Sequence, residues 1–196
     1  MTRTARSKAA YFGIVAALII IILGLVIRFK TSPLFLFCIA ILLLAPGRIL
    51  GYFWRDLLRG LRLLNAKQYQ ESKRHSAAFL VELSRKPWLK KLIWLGSGAY
   101  SRDPESIALN NLSAAEIGLG MIEEARTHLE ASIAIDAENP LPYWNLAVLS
   151  RKIGDKGEAE RWFNEAKSRG FSRSATDKFL MASQSRFANT DGTGQR

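Results

Sequence analysis

The sequence is poor in the groups that metal and covalent chemistry draw on. Of its 196 residues one is cysteine, Cys38, and two are histidine, His75 and His128. No intrachain disulfide can form, which fits a reducing compartment. A zinc or iron–sulfur centre built on cysteines is excluded, and no spacing makes the two histidines a ligand pair. There is no GxxxxGK, GxGxxG, HExxH or GxSxG stretch, and so none of the phosphate cradles, zinc helices or nucleophile elbows those patterns build. Glu123 and Glu124 are the one paired carboxylate that draws the eye. They fall where a helix begins, and negative charge there complements the helix dipole. The expectation is a protein that is not an enzyme and carries no cofactor and no metal.

Acidic residues are scarce in one half only. Through residue 100 there are 16 Lys and Arg against 3 Asp and Glu, and from residue 101 onward 12 against 14. The net charge of +11 is therefore a property of the first half. A strongly basic chain invites nucleic acid as a partner, but the acidic second half would repel phosphate. The better reading is a basic belt drawn to anionic lipid headgroups.

That reading follows from where charge is missing. Residues 9–27 form a run of 19 without a charge, and residues 31–47 give another 17, parted by Arg28-Phe29-Lys30. A helix rising about 1.5 Å per residue needs about 20 apolar residues to cross the hydrocarbon core. The first run meets that directly. The second meets it if its helix continues to Trp54 with Arg48 snorkelling outward. Pro33 suits a first helical turn, and Pro46 is expected to kink or end the span. The first run is too long for a cleaved signal core and no small-x-small site follows it, so residues 9–54 read as an uncleaved transmembrane hairpin. Arg3, Arg6 and Lys8 precede it, and Arg48, Arg55, Arg59 and Arg62 follow. Positive flanks face the cytoplasm, which puts both termini of this multi-pass chain there.

Beyond the hairpin the chain repeats itself. "NLSAAEIGLGMIEEA" (residues 111–125) returns 34 residues later as "NLAVLSRKIGDKGEA" (residues 145–159). A fixed period of this length marks stacked supersecondary units. In each copy a helical stretch ends near a glycine, Gly120 or Gly154, and a second amphipathic stretch opens with Glu-Ala. Ala125 and Ala159 are small where the two helices of a pair would cross.

These residues resemble the tetratricopeptide repeat (TPR). Its pattern falls on Tyr143, Leu146, Ala147 and Ser150, then Ala159, Phe163 and Ala166 in one copy. In the other it falls on Leu109, Leu112, Ser113 and Glu116, then Ala125, Leu129 and Ser132. Neither copy keeps the large aromatic at Glu116 or Ser150, and neither has the late proline. A degenerate copy lies upstream in "LLNAKQYQES", with Lys67 where glycine is expected and Ser72 where alanine is expected. The fold implied is all-α: a transmembrane helical hairpin followed by a short TPR-like α-solenoid. The segments are a basic tail (1–8), the hairpin (9–54), a degenerate repeat with a possible interfacial helix (55–100) and two repeats (101–172). A capping helix (173–187, using Phe179, Leu180 and Phe187) and a disordered tail (188–196) complete them. For "RKPWLKKLIWLGSGAY" two readings stand, a helix in the headgroup layer or a stripe packed into the solenoid.

The family implies a concave groove lined by the first helix of each pair, where an extended peptide or a helix binds. Carried over by position, the groove residues are Asn110, Asn111 and Ala114, then Trp144, Asn145, Val148, Arg151 and Lys152. Asparagine offers a peptide backbone both a donor and an acceptor, and Arg151 with Lys152 could hold an acidic group. The function implied is a membrane-anchored scaffold or adaptor that binds a protein partner, for assembly or tethering of a membrane complex. Two alternatives stand beside it. One is an accessory subunit held through its membrane helices, where Gly13, Gly24 and nearby alanines allow close approach. The other is an enzyme or cofactor-handling protein with the solenoid as its body.

Overall fold

The computed structural model describes residues 33–95 and 101–171, with scattered helical positions between residues 13 and 24. Among the described residues the chain is all-helical. Seven α-helices run in order: α1 Pro33–Phe53, α2 Arg55–Asn65, α3 Tyr69–Arg85, α4 Pro104–Leu119, α5 Ile122–Ile135, α6 Pro140–Lys152 and α7 Lys156–Ser168. A 3-10 segment, Pro87–Leu95, joins α3 to the approach to α4.

Helices α2 to α7 form three antiparallel pairs, and each pair turns in the same way. Residues Lys67, Gly120 and Gly154 all have positive φ, at 59°, 82° and 90°. The N–H of the following residue reaches back to close the turn: Gln68 to the Leu63 carbonyl at 2.9 Å, Met121 to Glu116 at 2.9 Å and Asp155 to Ser150 at 2.9 Å. A left-handed residue with such back-bonds satisfies carbonyls that the helix end would otherwise leave open. Glycine does this without strain at two of the turns, and Lys67 does it with a side chain attached.

Taking those three residues as a common origin aligns the pairs. Seven residues before each lie Gly60, Ser113 and Ala147, and five after each lie Ser72, Ala125 and Ala159. All six are buried. Small residues on both helices let the backbones approach, and at the first crossing the Ser72 hydroxyl donates to the Gly60 carbonyl at 2.9 Å. A Cβ on Gly60 would meet the Ser76 Oγ at 2.9 Å. Between pairs, Gly118 admits the Tyr69 ring, whose atoms would lie 2.5 Å from an added Cβ.

Starts and ends follow local rules. Asp103 and Asn139 cap α4 and α6, accepting from Glu105 N and Leu141 N, and each is followed by proline at the first helical position. That proline lacks an N–H exactly where a helix has no use for one. Asp155 caps α7 through Glu158 N.

Neighbouring helices pack in sequence order along the stack, and the first helices of successive pairs (α2 with α4, α4 with α6) also touch. The backbones of the second helices, α3, α5 and α7, stay more than 8 Å apart from Cα to Cα, and α5 and α7 meet only through long side chains such as Arg126 and Glu158. The stack is therefore tighter on the side of the first helices, which form its inner face.

Residues 87–95 belong to the packed body. Leu89 is fully buried in a core with Trp54, Leu57, Phe79, Leu83 and Ala108. Lys90 joins this segment to the start of α4: its ammonium bonds Glu105 and lies 3.7 Å from Asp103. The hydrogen bond to Glu105 raises the Lys90 pKa against the opposing effect of burial.

Pro46 does not end α1, which continues to Phe53. The break comes at Trp54, whose φ of −103° and ψ of 21° leave the helical region. Among the described residues no helix is long and apolar enough to cross a membrane. Most of residues 9–27 and the side chains of residues 33–35, 38, 40 and 42–46 lie outside the described residues, so the hairpin rests on the sequence. The basic tail (1–8), the capping helix expected over 173–187 and the tail 188–196 also lie outside them.

Candidate partner-binding face

The inner face is built from equivalent positions on α2, α4 and α6. Nine residues before each turn residue lie Leu58, Asn111 and Asn145, and six before lie Leu61, Ala114 and Val148. The second set is an apolar row across three helices. Leu61 is 41% exposed and Leu58 38%, while Ala114 and Val148 are half-buried. Val148 also packs on the core of Ile117, Leu129, Leu146 and Leu149.

Polar ties run between the first helices. The Asn145 Nδ2 donates to Asn110 Oδ1 at 2.8 Å, and the Lys152 ammonium donates to the Ile117 carbonyl. Lys152 thus serves the C-terminal end of α4, where a cation meets the negative end of the helix dipole. The structure thus sets three of the expected groove residues, Asn110, Asn111 and Lys152, back from the open face. Asn110 and Asn111 are buried, at 5% and 4% exposure, because α4 is enclosed by α3, α5, α6 and the 3-10 segment. Asn110 and Lys152 are used inside the chain. Trp144, expected as a groove anchor, stacks on Phe171 at 4.4 Å and tilts against Phe163 at 5.9 Å, with its ring half-buried. Asn145 is half-buried beside it, and Arg151 is exposed. Asn111 Nδ2 has no hydrogen-bond partner among the described residues. The open part of the face is then Leu58, Leu61, Ala114, Val148 and Arg151, edged by Trp144 and Asn145.

A second polar system locks each pair to the one before it. Glu116, 1% exposed, stands where the repeat pattern has a large aromatic. Its carboxylate lies 2.7 Å from His128 Nδ1 and 3.6 Å from the Lys73 ammonium. Glu158 accepts from Ser150 Oγ at 2.8 Å and from both Arg126 nitrogens at 3.3 Å. The Arg126 hydrogen bond, then the one from Ser150, pulls the Glu158 carboxyl down to about 2. Lys73 and Arg126 are equivalent, each directly following the small crossing residue, and each reaches an acid on the next pair. Neither tie matches a known sequence motif, although the shared position of Lys73 and Arg126 is a signal the sequence carries.

Among the described residues no group of three His, Cys, Asp or Glu side chains could hold a metal ion. No family model matches the chain, and no curated protein or solved structure matches it.

Proposed function

We propose that the chain is a membrane-anchored TPR-type scaffold whose inner face holds a protein partner, for assembly or tethering of a membrane complex. The apolar row Leu61, Ala114 and Val148 carries this reading. It crosses three first helices on the tighter side of the stack, and it offers a peptide or a partner helix a continuous strip with Arg151 near one end. Support for the repeat family comes from the 34-residue period, the shared left-handed turns and the small residues at all three crossings. Support for the anchor comes from the sequence, in its two apolar runs at residues 9–27 and 31–47. Basic flanks support both termini facing the cytoplasm, and the resemblance of this architecture to bacterial envelope proteins that assemble membrane complexes points to a bacterial inner membrane. Anchoring raises the local concentration of the face for a partner in the same membrane, so a weak site suffices.

Photo-crosslinking residues placed at Leu61 and at Val148 in intact membranes are expected to capture the same protein. One at Glu130, exposed on a second helix, is expected to capture none. Capture at Glu130 equal to that at Val148 would remove the inner face as the site.

A second reading, an accessory subunit held through its membrane helices, draws on Gly13, Gly24, Gly47 and Gly51, where an added Cβ would meet nothing within 4 Å among the described residues. Such positions admit a foreign helix closely. Replacing the hairpin with an unrelated one separates the two, since a scaffold keeps its inner-face crosslinks and a subunit loses its complex.

A further inference from the structure

The surface around the end of α1 belongs neither to the ties between pairs nor to the inner face. Tyr52 is 76% exposed and Trp88 46%. The Phe53 ring stands between them, edge-on to Tyr52 at 5.1 Å and to Trp88 at 5.0 Å. Trp88 comes from the 3-10 segment, and its neighbour Leu89 is sunk in the core, so the exposed indole is held in place.

Exposed cations share this end of the molecule in the sequence. Arg48 precedes Tyr52 by one turn, Arg55 and Arg59 open α2, and Lys91 lies one turn beyond Trp88. Among the described residues none of these four has a carboxylate partner. The acids of this region are engaged elsewhere: Asp56 with His75 at 2.9 Å, Glu82 with Lys86 at 3.1 Å, and Asp103 and Glu105 with Lys90. From Pro33 to Tyr52 the helix rises about 28 Å, close to the thickness of a hydrocarbon core. The aromatic group therefore sits where a crossing that begins at Pro33 would leave the hydrocarbon. Tryptophan and tyrosine favour that level, and Lys and Arg just beyond it meet headgroup phosphates.

We infer that this collar seats the helical stack on an anionic headgroup layer. Tyr52, Phe53 and Trp88 lie at the hydrocarbon boundary, Arg55, Arg59 and Lys91 engage lipid phosphates, and Arg48, one turn on the hydrocarbon side of Tyr52, reaches them by snorkelling. The inference rests on α1 as a membrane crossing and adds a fixed orientation. Leu50 and Phe53 of α1 pack on the same core as Leu57, Phe79, Leu83 and Leu89, so no loose linker separates the anchor from the stack. The inner face is held at one height and tilt above the bilayer.

The test uses the full chain carrying Cys38→Ser, reconstituted in nanodiscs of phosphatidylcholine with or without phosphatidylglycerol. Spin labels are placed singly through Ile20→Cys, Trp88→Cys or Ile153→Cys, the label's ring standing in for the indole at 88, with helicity checked by circular dichroism. Power-saturation measurements with oxygen and a water-soluble nickel complex give the depth of each label. The expected result is hydrocarbon depth at 20, water at 153, and several-fold lower nickel access at 88 than at 153. Phosphatidylglycerol should deepen the label at 88, and Arg48→Gln, Arg55→Gln, Arg59→Gln and Lys91→Gln together should abolish that dependence. A label at 20 in lipid with one at 88 as wet as 153 overturns the collar alone. Water at both 20 and 88 overturns the crossing with it. A depth at 88 indifferent to lipid charge overturns the phosphate contacts.

Discussion

Lys67, Gly120 and Gly154 are asked for the same left-handed backbone, and only the lysine meets the request against its own Cβ. That conformation costs a side-chain-bearing residue roughly 1–2 kcal/mol. Lys67→Gly is expected to stabilise the fold by about 1 kcal/mol, net of glycine's larger unfolded-state freedom. Gly120→Ala and Gly154→Ala are expected to cost about 1–2 kcal/mol each, from the backbone alone, since no atom lies within 4 Å of either added Cβ. Denaturant titration followed by far-ultraviolet circular dichroism reads all three, and a destabilising Lys67→Gly would contradict the shared turn. Glu116 gives the complementary case. A buried carboxylate held by Lys73 and His128 makes Glu116→Gln costly, by about 2–3 kcal/mol. Replacing Glu116, Lys73 and His128 together by leucine is expected to recover most of that loss, because no buried charge is then left alone. The same titration checks it, and a triple variant no more stable than Glu116→Gln would contradict the account.

At the scale of elements, the glycine-to-alanine spacing made two of the three pairs legible in the sequence. The first pair was harder to read because Lys67 and Ser72 take the glycine and alanine places, and the chain accepts them through a strained turn and the Ser72–Gly60 hydrogen bond. Without a firm origin for that pair, Leu58 and Leu61 could not be assigned to the inner face. The setting of Trp144 was not legible for a different reason. Its stacking partner Phe171 lies past the end of α7, beyond the repeat, and no periodicity announces such a contact. Residues 87–95 divide between the two readings: Leu89 is core, while Trp88 stays at the surface. The ties between pairs yield a pH prediction. The Glu158 carboxyl is depressed from 4.5 to about 2 by Arg126 and Ser150. Its contribution to stability is therefore whole above about pH 4.5 and is lost as the pH falls toward 2. Thermal melts between these limits should show α7 loosening from α5 with acidification, and Arg126→Met should flatten that dependence. An Arg126→Met chain with the parent's acid profile would contradict the tie.

For the whole molecule, charge and packing address the same arrangement. The basic half contains the apolar runs and the exposed collar, and the acidic half contains the two clear repeats. A stack built on α1 through a shared core can present its inner face to a membrane partner in one pose, which a flexible tether could not do. Crosslinks, label depths and hairpin exchange all presuppose that residues 9–54 lie in the bilayer. Washing membranes that hold the intact chain with alkaline carbonate tests that most directly. The chain is predicted to stay in the pellet and to leave it only with detergent, whereas release into the carbonate supernatant would contradict the account.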